Sequence, residues 1–182
     1  MSIGLMCVSK ILVSWFLSPK YLSVGQLTAW TSLIIIAVSW ANIIGVQYLI
    51  ATKQENKYTL SIIIAAIVNL IMNVCLIPSH GAAGAIISLI VAEYIGIVIQ
   101  LILVRKQLPI KRMLLGVVKY VIVSLIMGVV VVFIGNSISN GMLANIVQGI
   151  SGVVIYIVIM FIIKDEVQKE MISRIMTMIR KK

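Results

Sequence analysis

The sequence predicts an all-α protein, a polytopic bundle of about six helices that crosses a membrane repeatedly. Three observations lead to this fold class. Apolar residues make up 62% of the 182 positions and charged residues only 11%, whereas about a quarter of the residues in an ordinary soluble domain are charged. The apolar residues form six long runs. Runs in lipid must be helical, because an open sheet would leave backbone N–H and C=O groups without partners.

The six runs differ in length. They cover residues 3–17, 27–51, 58–77, 82–104, 114–134 and 143–163, which are 15, 25, 20, 23, 21 and 21 residues long. About 20 helical residues cross a hydrocarbon core of roughly 30 Å, so five runs can span and the first is short. Turn-forming residues separate the runs, at Ser18-Pro19, at Pro78 followed by Gly81, at Pro109, and at 135–141.

Basic residues indicate the orientation. Alternate loops and the C-terminal segment hold twelve Lys or Arg residues, whereas the opposite loops hold only Lys20. Cytoplasmic loops carry an excess of Lys and Arg. We therefore expect both termini in the cytoplasm and residues 78–81 and 135–141 outside. The net charge of +10 therefore indicates the lipid bilayer as the partner of this chain, and we expect no binding to nucleic acid.

The C-terminal segment, residues 164–182, has a different pattern. Apolar side chains recur at spacings of four, four and three between charged ones, at Val167, Met171, Ile175 and Met178. This pattern predicts a basic amphipathic helix on the anionic inner leaflet. A solvated helical tail is the alternative.

The sequence shows no pattern typical of an enzyme. The one histidine, His80, falls in a short loop, where it is expected to be solvated. Cys7 and Cys75 lie within apolar runs and lack the spacing of a metal or redox pair. We therefore expect no catalytic residue, no metal ligand and no cofactor.

Three charged residues fall within apolar runs. Glu93 is the twelfth residue of the fourth run, near the bilayer centre, where a charge costs about 2.5 to 3.5 kcal/mol. It is a candidate for lining a cavity or for coupling transport to protons, and the alternative is a structural hydrogen bond to a neighbouring helix. Lys10 lies mid-run and is a further candidate. Lys119 is another, although it is close enough to a helix end to extend its ammonium to the interface.

Small and polar residues at a spacing of four form two ridges. The third run carries Ser61, Ala65, Asn69 and Asn73, and the fourth carries Gly84, Ser88, Ala92 and Gly96. Ridges of small residues let membrane helices approach closely, and side-chain amides then form hydrogen bonds across the contact. We expect the two ridges to pack face to face. Asn69 and Asn73 are also candidates for lining a cavity.

Two stretches resemble motifs of bacterial polysaccharide flippases. Residues 15–21, WFLSPKY, resemble a "WFFGPKY"-like element, with Ser18 where the family usually has glycine. Residues 69–78, NLIMNVCLIP, continue to GAAGA at 81–85 and to Glu93, and they resemble the "NLILNLLLIPxxGxxGAA…E" stretch. These proteins are O-antigen and capsule repeat-unit flippases, in the multidrug/oligosaccharidyl-lipid/polysaccharide exporter superfamily.

The resemblance implies a function and partners. Family members have about twelve to fourteen spans in two lobes that rock around a central cavity, and this chain resembles the C-terminal part. By this resemblance, the intact protein is expected to move undecaprenyl-diphosphate-linked oligosaccharide from the cytoplasmic to the outer leaflet of the bacterial cytoplasmic membrane. We expect this chain alone to be inactive and to require a separately encoded N-terminal lobe, together with other polysaccharide-assembly proteins.

Two alternatives belong to other functional classes. In the first alternative, the chain is part of a drug/cation exporter of the same superfamily. An acidic ion site in the N-terminal lobe would distinguish such an exporter from a flippase. The other is a membrane-embedded polysaccharide-assembly enzyme such as a polymerase. That enzyme would need large external loops with catalytic Arg or His, and the external loops here are short.

Overall fold

The computed structural model describes residues 1–17, 22–138 and 141–163. These residues form helices and no strand. The helices are α1 (Ser2–Phe16), α2 (Leu22–Thr31), α3 (Ile34–Ala41), a π-helix (Asn42–Ile50), α4 (Glu55–His80), α5 (Ala82–Val104), α6 (Ile110–Asn136) and α7 (Gly141–Ile162). The turn predicted at Ser18-Pro19 and the amphipathic segment predicted at 164–182 lie outside the described residues.

Five helical segments in the described part of the chain are long and apolar enough to cross a membrane. They are Val24–Ile50, Glu55–His80, Ala82–Val104, Ile110–Asn136 and Gly141–Ile162, and Ser2–Phe16 is a shorter apolar helix. Large apolar side chains lie on the outer surface, with Val129 71% and Phe133 76% exposed, as expected for helices surrounded by lipid. The predicted all-α, multi-pass bundle of about six helices is confirmed.

The second run, predicted as one helix over 27–51, is interrupted near Ser32. Beyond Thr31 the backbone forms i→i−3 hydrogen bonds, including Ile36 N–H to the Leu33 carbonyl at 3.2 Å. The hydroxyl of Ser2 in α1 donates to the Ser32 carbonyl at 2.6 Å, in a buried position. In a regular α-helix the Ile36 N–H would bond to this carbonyl, which here accepts from the Ser2 hydroxyl and from the Ile35 N–H at 3.2 Å. The interruption of the helix near Ser32 therefore coincides with a hydrogen bond from a side chain of a neighbouring helix.

The third run extends further than predicted. Pro78 was expected to end it, but α4 continues through Pro78 to His80. Gly81 alone then connects α4 to α5, with its N–H bonded to the Ile77 carbonyl at 2.8 Å and with φ of 54°. This φ is readily adopted by glycine, which has no Cβ. The expectation of a four-residue loop is therefore wrong, and the hairpin is tighter than predicted.

The helices form two groups that α1 joins. In the first group α4 packs along α5, and α5 also contacts α3 and α2. In the second group α6 packs along α7. Helix α1 contacts α2 on one side and both α6 and α7 on the other. The first group contains the candidate site described next.

Candidate functional site

A polar cleft lies among α3, the π-helix, α4 and α5. It encloses about 450 Å³, within the range of roughly 300 to 1,000 Å³ that is usual for ligand pockets. Most of its lining is aliphatic. The polar residues that line it are Asn42, Tyr58, Ser61, Asn69, Glu93 and Gln100. Polar side chains from three helical segments thus converge inside helices that are otherwise apolar.

Close contact between α4 and α5 forms one wall of the cleft. All four small residues of the α5 ridge (Gly84, Ser88, Ala92 and Gly96) are buried. A Cβ at Gly96 would lie 3.3 Å from the Cβ of Ala65 on α4. A Cβ at Gly84 would lie 2.5 Å from the carbonyl oxygen of Leu76. The absence of side chains at these two glycines therefore allows the helices to approach to this distance.

Gln100 is the most deeply buried polar residue of the cleft lining apart from Ser61. It is 2% exposed, and its Nε2 donates to the Ser61 hydroxyl at 3.1 Å. The Ser61 hydroxyl in turn donates to the Tyr58 carbonyl at 2.6 Å. The Gln100 Oε1 atom is buried and accepts no hydrogen bond in the described part of the chain. Gln100 therefore holds a buried acceptor without a partner behind the cleft wall.

Gln100 was not among the site residues predicted from the sequence. A signal was present, because the α5 ridge repeats every four residues and Gln100 is the next position after Gly96. The repeat therefore brings Gln100 to the same face of α5, opposite Ser61 at the start of the α4 ridge. Extending the ridge by one step would have identified it.

Glu93 and Asn69, both predicted from the sequence, line the same cleft. Glu93 is half-buried at the middle of α5. Asn73 lies one turn from Asn69, donating to its Oδ1 from Nδ2 at 3.2 Å, but Asn73 is not part of the cleft lining. The Asn73 Oδ1 atom is a second buried acceptor without a partner among the described residues. The structure thus brings Glu93 and Asn69 together and places Asn73 beside them.

The other predicted candidates lie elsewhere. Lys10 is exposed on α1, and the α1 backbone there packs against Gly25 of α2, whose Cβ position is 3.3 Å from the Lys10 Cα. Lys119 is exposed on α6, with its Nζ 4.8 Å from the centre of the Tyr120 ring. His80 is exposed at the end of α4, and its Nδ1 lies 2.7 Å from the Ser79 hydroxyl. None of these three residues lines the cleft.

At the end of α5 nearest Gln100, amide side chains join two loops. Gln54 and Gln107 form reciprocal hydrogen bonds of 3.1 Å, and the Tyr48 hydroxyl donates to Gln107 Oε1 at 3.0 Å. We call this group the amide latch. Beneath it lies an apolar cluster of three fully buried side chains, Ile44, Leu49 and Val104. The latch holds loop 51–54 beside loop 105–109, so these two connections are at the same end of the bundle.

The chain matches no protein-family model, no curated protein and no solved structure. Within the described ranges, no group of three His, Cys, Asp or Glu side chains could hold a metal ion. Function is therefore inferred from the residues of the cleft and from the motif resemblance.

Proposed function

We propose that this chain forms one wall of a passage for lipid-linked oligosaccharides, as part of a polysaccharide flippase of the bacterial cytoplasmic membrane. The observation that carries the proposal is the polar cleft with the unused acceptor of Gln100. Polar side chains inside membrane-spanning helices are costly, and they mark substrate pathways. A passage for a hydrophilic head group needs such a cleft, whereas the polyprenyl tail can stay in lipid.

The polar lining suits sugar hydroxyl groups. A hydroxyl both donates and accepts, and amide side chains offer both functions. A buried polar group without a partner costs about 1 to 3 kcal/mol. Because Gln100 Oε1 is buried, we propose that the amide turns toward the cleft when a sugar hydroxyl binds, and the new hydrogen bond would recover part of this cost. The amides of Asn42 and Asn69 and the carboxyl of Glu93 supply further contacts in the same cleft.

The surface of α4 supports the proposal of a second wall. Ser61 is the one buried residue of this 26-residue helix. Its outer side chains are widely exposed, with Leu70 at 66% and Val74 at 68%. In transporters of this kind, one repeat moves against another around the site. We therefore propose that a second lobe, corresponding to the N-terminal lobe of the flippases, completes the passage.

Complementation of a strain that lacks its repeat-unit flippase tests this function. We expect the chain alone to leave surface polysaccharide absent, because one wall cannot enclose a head group. Co-expression with the N-terminal lobe of a repeat-unit flippase should restore surface polysaccharide, measured by gel staining, with equal membrane levels of this chain in both strains. Restoration by the chain alone would overturn the two-walled passage. Continued accumulation of lipid-linked oligosaccharide in every pairing would overturn the flippase function.

We also propose that both termini face the cytoplasm. The amide latch supports this orientation, because it joins two basic loops, one with Lys53 and the other with Arg105 and Lys106. With both native cysteines changed to serine, Ser79→Cys should react with an impermeant maleimide added to intact cells. Lys106→Cys should react only after the membrane is permeabilised. The reverse labelling pattern would show that the protein is inverted.

A further inference from the structure

A second cavity lies where α5 ends and α6 begins. It is a groove of about 470 Å³ that is open to the surface, and its lining combines three cationic side chains with aliphatic ones. The cations are Arg105, Lys111 and Arg112, and the largest apolar side chains are Leu108, Ile110 and Leu115. Cationic and apolar groups therefore share one cavity, at the ends of two helices of membrane-spanning length.

The positive charge in this cavity lacks compensation within the described residues. The acidic side chains in that part of the chain are Glu55 and Glu93, and Glu93 lines the other cleft. Helix α6 also begins here, after Pro109, with no side-chain cap and no acidic residue in its first turn. A helix N-terminus carries a partial positive charge that favours anions. It adds to the charge of the three cationic side chains.

We propose that this cavity binds the phosphate of an anionic phospholipid of the surrounding leaflet. Arg105 and Arg112 contact the phosphate, and Arg is well suited to phosphate oxygens because its guanidinium offers several donors in one plane. Leu108 and Leu115 contact the first part of an acyl chain. The ends of spanning helices lie at the depth of the lipid head groups, where anionic lipids attract basic segments. The apolar wall favours a lipid over free phosphate. This site is separate from the polar cleft and does not depend on the proposed function.

Native mass spectrometry of the purified full-length chain tests the site, with phosphatidylglycerol and phosphatidylcholine as probes. Wild type should retain phosphatidylglycerol in preference to phosphatidylcholine. The Arg105→Gln/Arg112→Gln variant should bind phosphatidylglycerol about tenfold or more weakly, as expected for loss of charge-assisted hydrogen bonds. The control is Lys53→Gln/Lys106→Gln. It removes the same charge from the same end of the bundle but leaves the cavity lining intact, so its affinity should fall by less than about threefold.

Several outcomes would overturn the proposal. Equal weakening of both variants would mean that overall charge alone attracts the lipid. Equal binding of the two phospholipids by wild type would exclude a preference for an anionic head group, and this comparison needs no variant. Displacement of phosphatidylglycerol by inorganic phosphate at similar concentration would indicate an anion site without lipid recognition. Preferential binding of undecaprenyl diphosphate through Arg105 and Arg112 would instead assign the cavity to the transported lipid.

Discussion

Replacing Gly84 with alanine is expected to destabilise the α4–α5 hairpin. The new Cβ would lie 2.5 Å from the Leu76 carbonyl oxygen and 3.1 Å from the Ile77 nitrogen. These are backbone atoms of the facing helix and cannot rotate away, so the helices must separate. We expect a loss of about 1 to 3 kcal/mol, the range for overpacked cores. The measurement is the unfolding midpoint of the purified protein during titration of sodium dodecyl sulfate into mild detergent.

Gly116 provides a matched control, because it is also a helical glycine in a membrane-spanning segment. A Cβ at Gly116 would meet no atom within 4 Å. Gly116→Ala should therefore stabilise the protein, by up to about 1 kcal/mol, since alanine has the higher helix propensity. The two substitutions are chemically identical and are expected to act in opposite directions. A Gly84→Ala midpoint equal to wild type would show that the helices are not in close contact at this position.

Under the proposed function, replacing Gln100 with leucine is expected to abolish most transport while leaving the protein folded. Leucine is of similar size, and it removes the unpaired acceptor together with the donor to Ser61, whose hydroxyl keeps its bond to the Tyr58 carbonyl. In the complementing pair of lobes, export should fall about tenfold or more, as expected when a polar substrate loses a buried partner. The measurement is the rate of surface polysaccharide appearance, normalised to the membrane level of the chain.

Gln47→Leu is the control for this prediction, because Gln47 is an exposed glutamine on the π-helix and does not line the cleft. It should leave export unchanged. Glu93→Gln then separates two roles within the cleft. Lost export at normal membrane levels would indicate that the carboxyl changes protonation, whereas retained export would indicate a hydrogen-bonding role. Export by Gln100→Leu at the wild-type rate would remove the cleft from the transport pathway.

The positions of the helices could be predicted closely from the sequence. The run at 82–104 coincides with α5 residue for residue, because lipid-exposed helices consist almost wholly of apolar residues and their boundaries are marked by polar ones. The break near Ser32 could not be predicted in this way. It is accompanied by a hydroxyl of Ser2, thirty residues earlier in the chain, and such a contact exists only after α1 and α2 have packed.

The candidate site was predictable only in part. Glu93 was identified because a charged side chain is rare inside an apolar run, and Asn69 because it belongs to a ridge of small and polar residues at a spacing of four. Gln100 also carries an amide and lies four residues beyond Gly96, but the predicted ridge ended at Gly96. Pro78 was misinterpreted for a different reason. Proline lacks a backbone donor and often ends a helix, but here it lies in the last turn of α4 and the helix continues to His80.

The amide latch joins two basic loops by bonds between neutral amides, and the Lys57 ammonium also donates to Gln54 Oε1 at 2.6 Å. Lys53 and Lys57 lie beside one half of the latch, and Arg105 and Lys106 lie beside the other. Repulsion between these cations opposes the contact, whereas the bonds between Gln54 and Gln107 carry no net charge. Mobile ions weaken repulsion between exposed charges over a Debye length of about 8 Å at physiological ionic strength. Higher salt is therefore expected to weaken the repulsion between the two loops and to favour their contact. Counterions that collect near these cations then contribute to the stability of the contact.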